Sequence, residues 1–214
     1  MYPELFKKAL VLSPHTDDGE LGAGATISRF LEEGTEFIYL AFSAPNEELR
    51  KECVRSLKIL GLAETNIKIL DFPRRFFPRN RQEILQTLYD LHESEQIDLV
   101  FTPSTRDLHQ DHGVVTREAL RIFKQSTILG YELPWNHIDF MENCFVAIEE
   151  THLKRKLDAL NQYKSQHKHH YFSPEYVRSL AITRGGQIAT RYAESFELIK
   201  LVLFYKNDRT KYNM

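Results

Sequence analysis

The sequence predicts an α/β fold built on a mainly parallel sheet, and three observations carry that prediction. Short apolar runs alternate with longer amphipathic segments along most of the chain, the pattern of repeated strand–helix–strand units. Gly34 and Gly61 stand just past two of the amphipathic segments, where helices commonly stop. Two dense polar clusters follow directly on apolar runs, and open parallel sheets collect their ligand sites outside the carboxyl ends of strands.

Ala9–Ser13 reads as the first strand and Leu21–Glu33 as the first helix, closed by Gly34. Glu36–Ser43 and Glu47–Leu60 form the next strand and helix, closed by Gly61. Asn66–Asp71, Arg79–Glu93, Asp98–Thr102, Val114–Lys124 and Ser126–Glu132 continue the alternation, followed by a strand at Cys144–Ile148. A further helix is expected after Glu149, then a segment rich in histidine, glycine and charge. No repeat, low-complexity tract or linker interrupts the chain, so residues 1–214 read as a single domain. With the common strand order 3-2-1-4-5, strands one and four are neighbours and a switch point lies between them.

Composition narrows the function classes. The 214 residues are 42% hydrophobic and 27% charged, as in soluble globular domains, and no apolar run approaches the ~20 residues of a membrane span. The opening segment MYPELFKKALVLSPH has neither a sustained apolar stretch nor a small-residue cleavage site, so no secretory signal is expected. A net charge of -2 gives no electrostatic reason to expect nucleic acid. One basic stretch, Arg74, Arg75, Arg79 and Arg81, reads as a solvated loop, with anion recognition as the competing reading. Cys53 and Cys144 lie in apolar stretches without a Cys-x-x-Cys pair, which suits reduced core thiols and a cytoplasmic setting.

The first polar cluster, Ser13-Pro14-His15-Thr16-Asp17-Asp18-Gly19-Glu20, leads from the first strand into the first helix. His15 and Asp18 can converge on one ion if the chain turns sharply between them. Adjacent side chains point different ways, so Asp17 is free for another task, such as taking a proton from water. The bland alternative is a helix cap, which needs only one carboxylate. A glycine-rich nucleotide or methyl-donor turn is a further, weaker alternative, because the G-x-G-x-x-G order is missing. The second cluster, Ser104 to Gly113, carries His109, Asp111 and His112 after the fourth strand. Together the clusters hold two imidazoles and a carboxylate with an open position, a set suited to catalytic zinc or to a non-haem iron oxygenase. The extra carboxylate and histidine favour hydrolysis, which needs a base for water and a donor for the oxyanion or leaving amine.

The stretch PHTDDGELG resembles the Pro-His-x-Asp-Asp-x-x-x-Gly signature of the LmbE-like/PIG-L zinc N-deacetylases, and HQDH resembles that family's His-x-Asp-His motif. Leu49 to Glu52, Lys164 to Gln166 and Tyr192 to Phe196 are similar to its flanking segments, so the likeness spans most of the chain. Thr16 departs from the family's more usual proline. The resemblance implies a Rossmann-like three-layer fold with the site at the carboxyl ends of strands one and four. It implies Zn2+ or Fe2+ held by His15, Asp18 and His112. Asp17 is then the general base, His109 the oxyanion or leaving-group partner, and Asp111 the residue that orients a histidine. Arg50 is a candidate substrate contact. The implied reaction removes acetyl from a small N-acetylated sugar or conjugate; an amidase acting on a sugar–thiol conjugate would share every catalytic residue. Trp135, the only tryptophan, offers an indole face to a sugar or else fills a loop. His167, His169 and His170 read as an exposed polar run rather than a second metal site, and Arg184-Gly185-Gly186 as a turn. The sequence leaves the oligomeric state open, a homo-oligomer included.

Overall fold

The computed structural model describes residues 6–203; of the domain expected over 1–214, the two ends lie outside the described residues. Among the described residues the chain runs β1 (Lys8–His15), α1 (Asp18–Glu32), β2 (Glu36–Ser43), α2 (Glu47–Leu60), β3 (Ile67–Ile69), α3 (Arg81–Ser94), β4 (Leu99–Pro103), α4 (Gln110–Ile122), β5 (Thr127–Tyr131), β6 (Cys144–Ile148), α5 (Glu150–Leu160), α6 (Pro174–Gln187) and β7 (Tyr192–Lys200). The sheet order is β3-β2-β1-β4-β5-β7-β6. The first five strands are parallel, in the order anticipated by strand counting, while β7 runs antiparallel to both β5 and β6.

The strands are apolar without alternation because both faces are covered. On β1, Ala9 and Val11 enter the core beneath α1, α2, α5 and α6, whereas Leu10 and Leu12 enter the one beneath α3 and α4. On β2, Phe37, Tyr39 and Ala41 divide from Ile38, Leu40 and Phe42 in the same way. Helix α2 shows local chemistry at both ends. Asn46 accepts from the Leu49 N–H at 2.9 Å, and Gly61 closes the helix at φ 112°, a backbone that side chains with a Cβ rarely adopt.

The structure corrects the sequence reading in the last third of the chain. Residues 184–186 are not a turn but the last turn of α6. That helix buries only Val177, Ala181 and Gly185, a stripe at i, i+4 and i+8 too sparse to read as amphipathic. Strand β7 went unassigned because Glu194 and Glu197 break its apolar run. Both carboxylates are buried and fully partnered: Glu194 accepts from the Ala25 and Thr26 amides and from Lys156, and Glu197 from Ser104 and Thr105.

Two smaller shifts matter for the site. Helix α1 starts at Asp18 and α4 at Gln110. Asp18, Asp111 and His112 therefore sit in first helical turns, with Asp17 and His109 at the cap positions just before them.

Candidate active site

Strand β1 delivers His15 and α1 delivers Asp18, and the turn between them is tied down by its own hydroxyl. Ser13 Oγ donates to the His15 carbonyl at 2.5 Å and accepts the Gly19 N–H at 3.0 Å, so Ser13 satisfies an amide at the start of α1. Asp17 occupies the cap position of α1 but makes no side-chain capping bond, which removes the cap as its role. The buried Thr16 carbonyl accepts from Tyr163 at 2.7 Å, Tyr39 at 3.3 Å and the Cys53 thiol at 3.4 Å. Glu20 lies one turn in, taking hydrogen bonds from Tyr39 and Tyr163, while burial pushes its carboxyl up to about 7.

The second arm is the first turn of α4. Its His112 meets the first arm directly: Asp18 Oδ2 lies 3.1 Å from His15 Nδ1 and 3.3 Å from His112 Nε2, and the two nitrogens are 3.3 Å apart. A tetrahedral ion with ligands at about 2.0–2.1 Å has ligand–ligand edges of about 3.3–3.4 Å. The three atoms thus already outline one face of such a site. His109 joins them, since the ligand atoms of His15, His109 and His112 all lie within 4.8 Å of one another. The His109 Nδ1, however, accepts the Asp111 N–H at 3.2 Å, leaving Nε2 to carry the proton.

His15 and His112 each have a carboxylate behind the ring. Asp111 Oδ2 faces His15 Nε2 at 3.4 Å, and Asp107 Oδ2 faces His112 Nδ1 at 2.8 Å. Such partners fix ring orientation and raise basicity. Asp107 stands in the second cluster, but nothing in its spacing assigned it this part; its Oδ1 also accepts the His109 N–H at 2.8 Å.

The electrostatics follow from crowding in a dry place. Burial works to lower the His112 pKa, but Asp18 and Asp107 outweigh it and raise it to about 10. His15 is likewise raised against burial by Asp18 and Asp111. Burial would raise Asp18, yet the charges of His112 and His15 hold it well below the carboxylate range. Asp17 is pushed up to about 7 by burial and by the Asp18 charge, which outweigh the lowering by His15 and His112. Burial and the neighbouring imidazoles His112 and His15 bring His109 down to about 4, so it is neutral at physiological pH.

All six residues expected at the centre, His15, Asp17, Asp18, His109, Asp111 and His112, come together between the ends of β1 and β4. Arg50 lies further out, beside the end of β3, bonded to the Ile69 carbonyl at 3.0 Å and to Asp71. Trp135 is 38% exposed and stacks on Tyr171 with centroids 4.0 Å apart. Its neighbour Asn136 reaches Asp107 at 3.4 Å, which puts this aromatic pair beside the centre. Behind it a pocket of about 460 Å³, open to solvent, extends over Leu153, Tyr176, Val177 and Leu180. Tyr163 and Tyr171 had no signal in the sequence, because only folding brings them to the motif. The histidines after Lys164 gather no further ligand set among the described residues; His169 stacks on Tyr171 and His170 meets Tyr176 edge-on.

The chain is similar to several known proteins. The PIG-L model, described as GlcNAc-PI de-N-acetylase, matches residues 10–123. The chain is 30% identical over 173 residues to YaiS of Escherichia coli K12, named an uncharacterized deacetylase, covering 74% of this chain and 91% of that one. It is 26% identical to diacetylchitobiose deacetylase of Thermococcus kodakarensis, covering 90% and 83%. Among solved structures, the 4-carboxy-2-hydroxymuconate hydratase GalB of Pseudomonas putida KT2440 superposes with a TM-score of 0.79 at 21% identity, covering 93% and 98%; at that identity the likeness concerns the fold alone. The family match takes in both polar clusters and the strands that present them, and on that ground the chain belongs to the PIG-L family.

Proposed function

We propose that the protein is a metal-dependent hydrolase that removes the acetyl group from an N-acetylated sugar or sugar conjugate, working as one domain. The observation that carries this reading is the triangle of His15, Asp18 and His112 donor atoms, with edges of 3.1–3.3 Å and an uncommitted carboxylate, Asp17, beside it. A divalent metal in that triangle supplies Lewis acidity that brings the pKa of a water toward ~7. Zn2+ suits the donor set, and Fe2+ accepts the same ligands.

The chain's own groups then divide the proton work. Asp17, the carboxylate beside the triangle that makes no capping bond, takes the proton of the attacking water as general base. Water oxygen bonds to the acetamide carbon, and His109 donates its Nε2–H to the oxyanion without carrying a charge. The proton on Asp17 passes to the amine nitrogen as the C–N bond breaks, releasing acetate. Asp111 and Asp107 keep His15 and His112 in register. Trp135 offers a stacking face to the sugar ring, and Arg50 reaches the outer part of a conjugate. The reduced cysteines Cys53 and Cys144 suit a cytoplasmic setting.

Metal content and acetate release test the reading together. Wild-type protein should hold about one zinc or iron per chain and release acetate from an N-acetylated sugar panel. His112→Ala should lose the metal, while Asp17→Asn should keep it and lose on the order of 10²–10⁴-fold in kcat. Oxygen consumption without acetate release would point to the oxygenase chemistry that this ligand set also permits. Turnover of thiol conjugates but not of simple acetamides would point to the amidase.

A further inference from the structure

Four arginines crowd the segment that leads from β3 into the first residue of α3, and the fold occupies only two of them. Arg81 pairs with buried Glu118 at 2.5 Å, and Arg79 lies over the Phe76 ring, 5.3 Å from its centroid. Arg74 and Arg75 are exposed, and neither guanidinium has a hydrogen bond or a carboxylate partner among the described residues. Two adjacent like charges without a counter-ion repel each other, and a bound anion removes that repulsion.

The backbone beneath them is anything but loose. Asp111 accepts the Arg75 N–H at 2.6 Å and the Phe77 N–H at 3.1 Å, and Arg75 is held at φ 72°, a left-handed conformation unfavourable for a residue with a Cβ. The carboxylate that backs His15 therefore also anchors the loop that carries the two arginines. Facing this loop is the aromatic pair: the Tyr171 phenol lies within electrostatic reach of Arg74 as well as of Asp17 and Asp18, and Tyr171 stacks on Trp135. A sugar ring laid on that pair, with its acetamide over the metal triangle, brings a substituent toward Arg74 and Arg75. Guanidinium forks match phosphate oxygens in charge and geometry.

We propose that Arg74 and Arg75 form an anion-recognition site at the mouth of the metal centre, and that the substrate is an N-acetylated sugar bearing a phosphate or phosphodiester. The substrate half of this inference rests on the deacetylase reading above; the anion site does not.

The test is calorimetric binding of N-acetylglucosamine, N-acetylglucosamine 1-phosphate and UDP-N-acetylglucosamine to zinc-loaded protein, with acetate release followed for each. The phosphorylated sugars should bind roughly 10–100-fold tighter than the neutral one, and the advantage should shrink with added salt. Which of the two binds better identifies a terminal phosphate or a diester as the recognised form. In Arg74→Ala/Arg75→Ala the advantage should fall to within about threefold, with Arg74→Lys/Arg75→Lys retaining part of it; both changes touch exposed side chains, and thermal melting checks that the variants fold. Equal binding of charged and neutral sugars overturns the proposal. So does a phosphate preference undiminished in the double alanine variant, because the metal would then be holding the phosphate. Acetate release from all three sugars without discrimination would leave the deacetylase reading intact and sink the anion site. Arginine-dependent binding with no acetate from any sugar would do the reverse.

Discussion

At the scale of single residues, the site is built of pairs in which a carboxylate holds an imidazole still. His112 is held by Asp107 and His15 by Asp111, and Asp107 also accepts an amide from its own loop. Removing Asp107 should leave all three ligands in place yet cost roughly 10–100-fold in metal affinity. Chelator competition on Asp107→Ala measures this, and an unchanged affinity would mean the carboxylate does not tune the ring. The acting residues were legible because their types are chemically unusual at a strand end. Asp107 was harder to assign, since an aspartate in a polar loop has many plausible partners and its choice of His112 depends on the pitch of α4. Tyr163 and Glu20 were illegible as a pair for a similar reason: 143 residues separate them, and only the fold makes the contact.

At the scale of elements, small residues decide how closely the helices pack. Helix α1 crosses the sheet at Gly22, where a Cβ would stand 2.4 Å from the Tyr131 ring. Gly22→Ala should therefore destabilise by about 1–3 kcal/mol or more, read from denaturant midpoints. Gly186 in α6 meets nothing within 4 Å, so Gly186→Ala should stabilise by up to about 1 kcal/mol through helix propensity; equal effects at the two sites would refute the packing argument.

The join of α5, α6 and β7 is electrostatic at its rim. Glu150 accepts from Arg178 and from the Tyr192 hydroxyl, and those bonds bring its carboxyl down to about 2. A depressed carboxylate contributes stability that is present above its ordinary value near 4.5 and is lost as pH falls toward 2. Melting temperature should thus fall less steeply across that window in Glu150→Gln than in wild type; parallel curves would show that solvent screens the pair completely. Neither α6 nor β7 is legible in the sequence: the buried stripe of α6 is too sparse, and the buried glutamates of β7 find tertiary partners rather than solvent.

At the scale of the whole molecule, the metal triangle joins two parts of the chain that are 97 residues apart. Under the proposed function its three donors come from β1, α1 and α4, so a bound ion would brace the sheet against helices on both of its faces. An ion that binds only the folded chain stabilises by about 4 kcal/mol when present at ~1,000 times its Kd. Chelation should lower the melting temperature of wild-type protein by several degrees and leave His112→Ala unmoved. A chelator effect of equal size in both would place the stabilising metal elsewhere.

The sequence by itself determined the parallel half of the sheet, its strand order and the two polar clusters that meet at the ends of β1 and β4. Those features depend on local patterns: apolar runs buried on both faces, helix stops at glycine, and charged residues concentrated where strands end. Tertiary structure alone decided the antiparallel β7 between β5 and β6, the pairing of Asp107 with His112, and the aromatic pair at the mouth. It also decided which arginines remain unpaired. Each of these turns on which side chains meet, or fail to meet, once the chain has folded, and that leaves no period in the sequence.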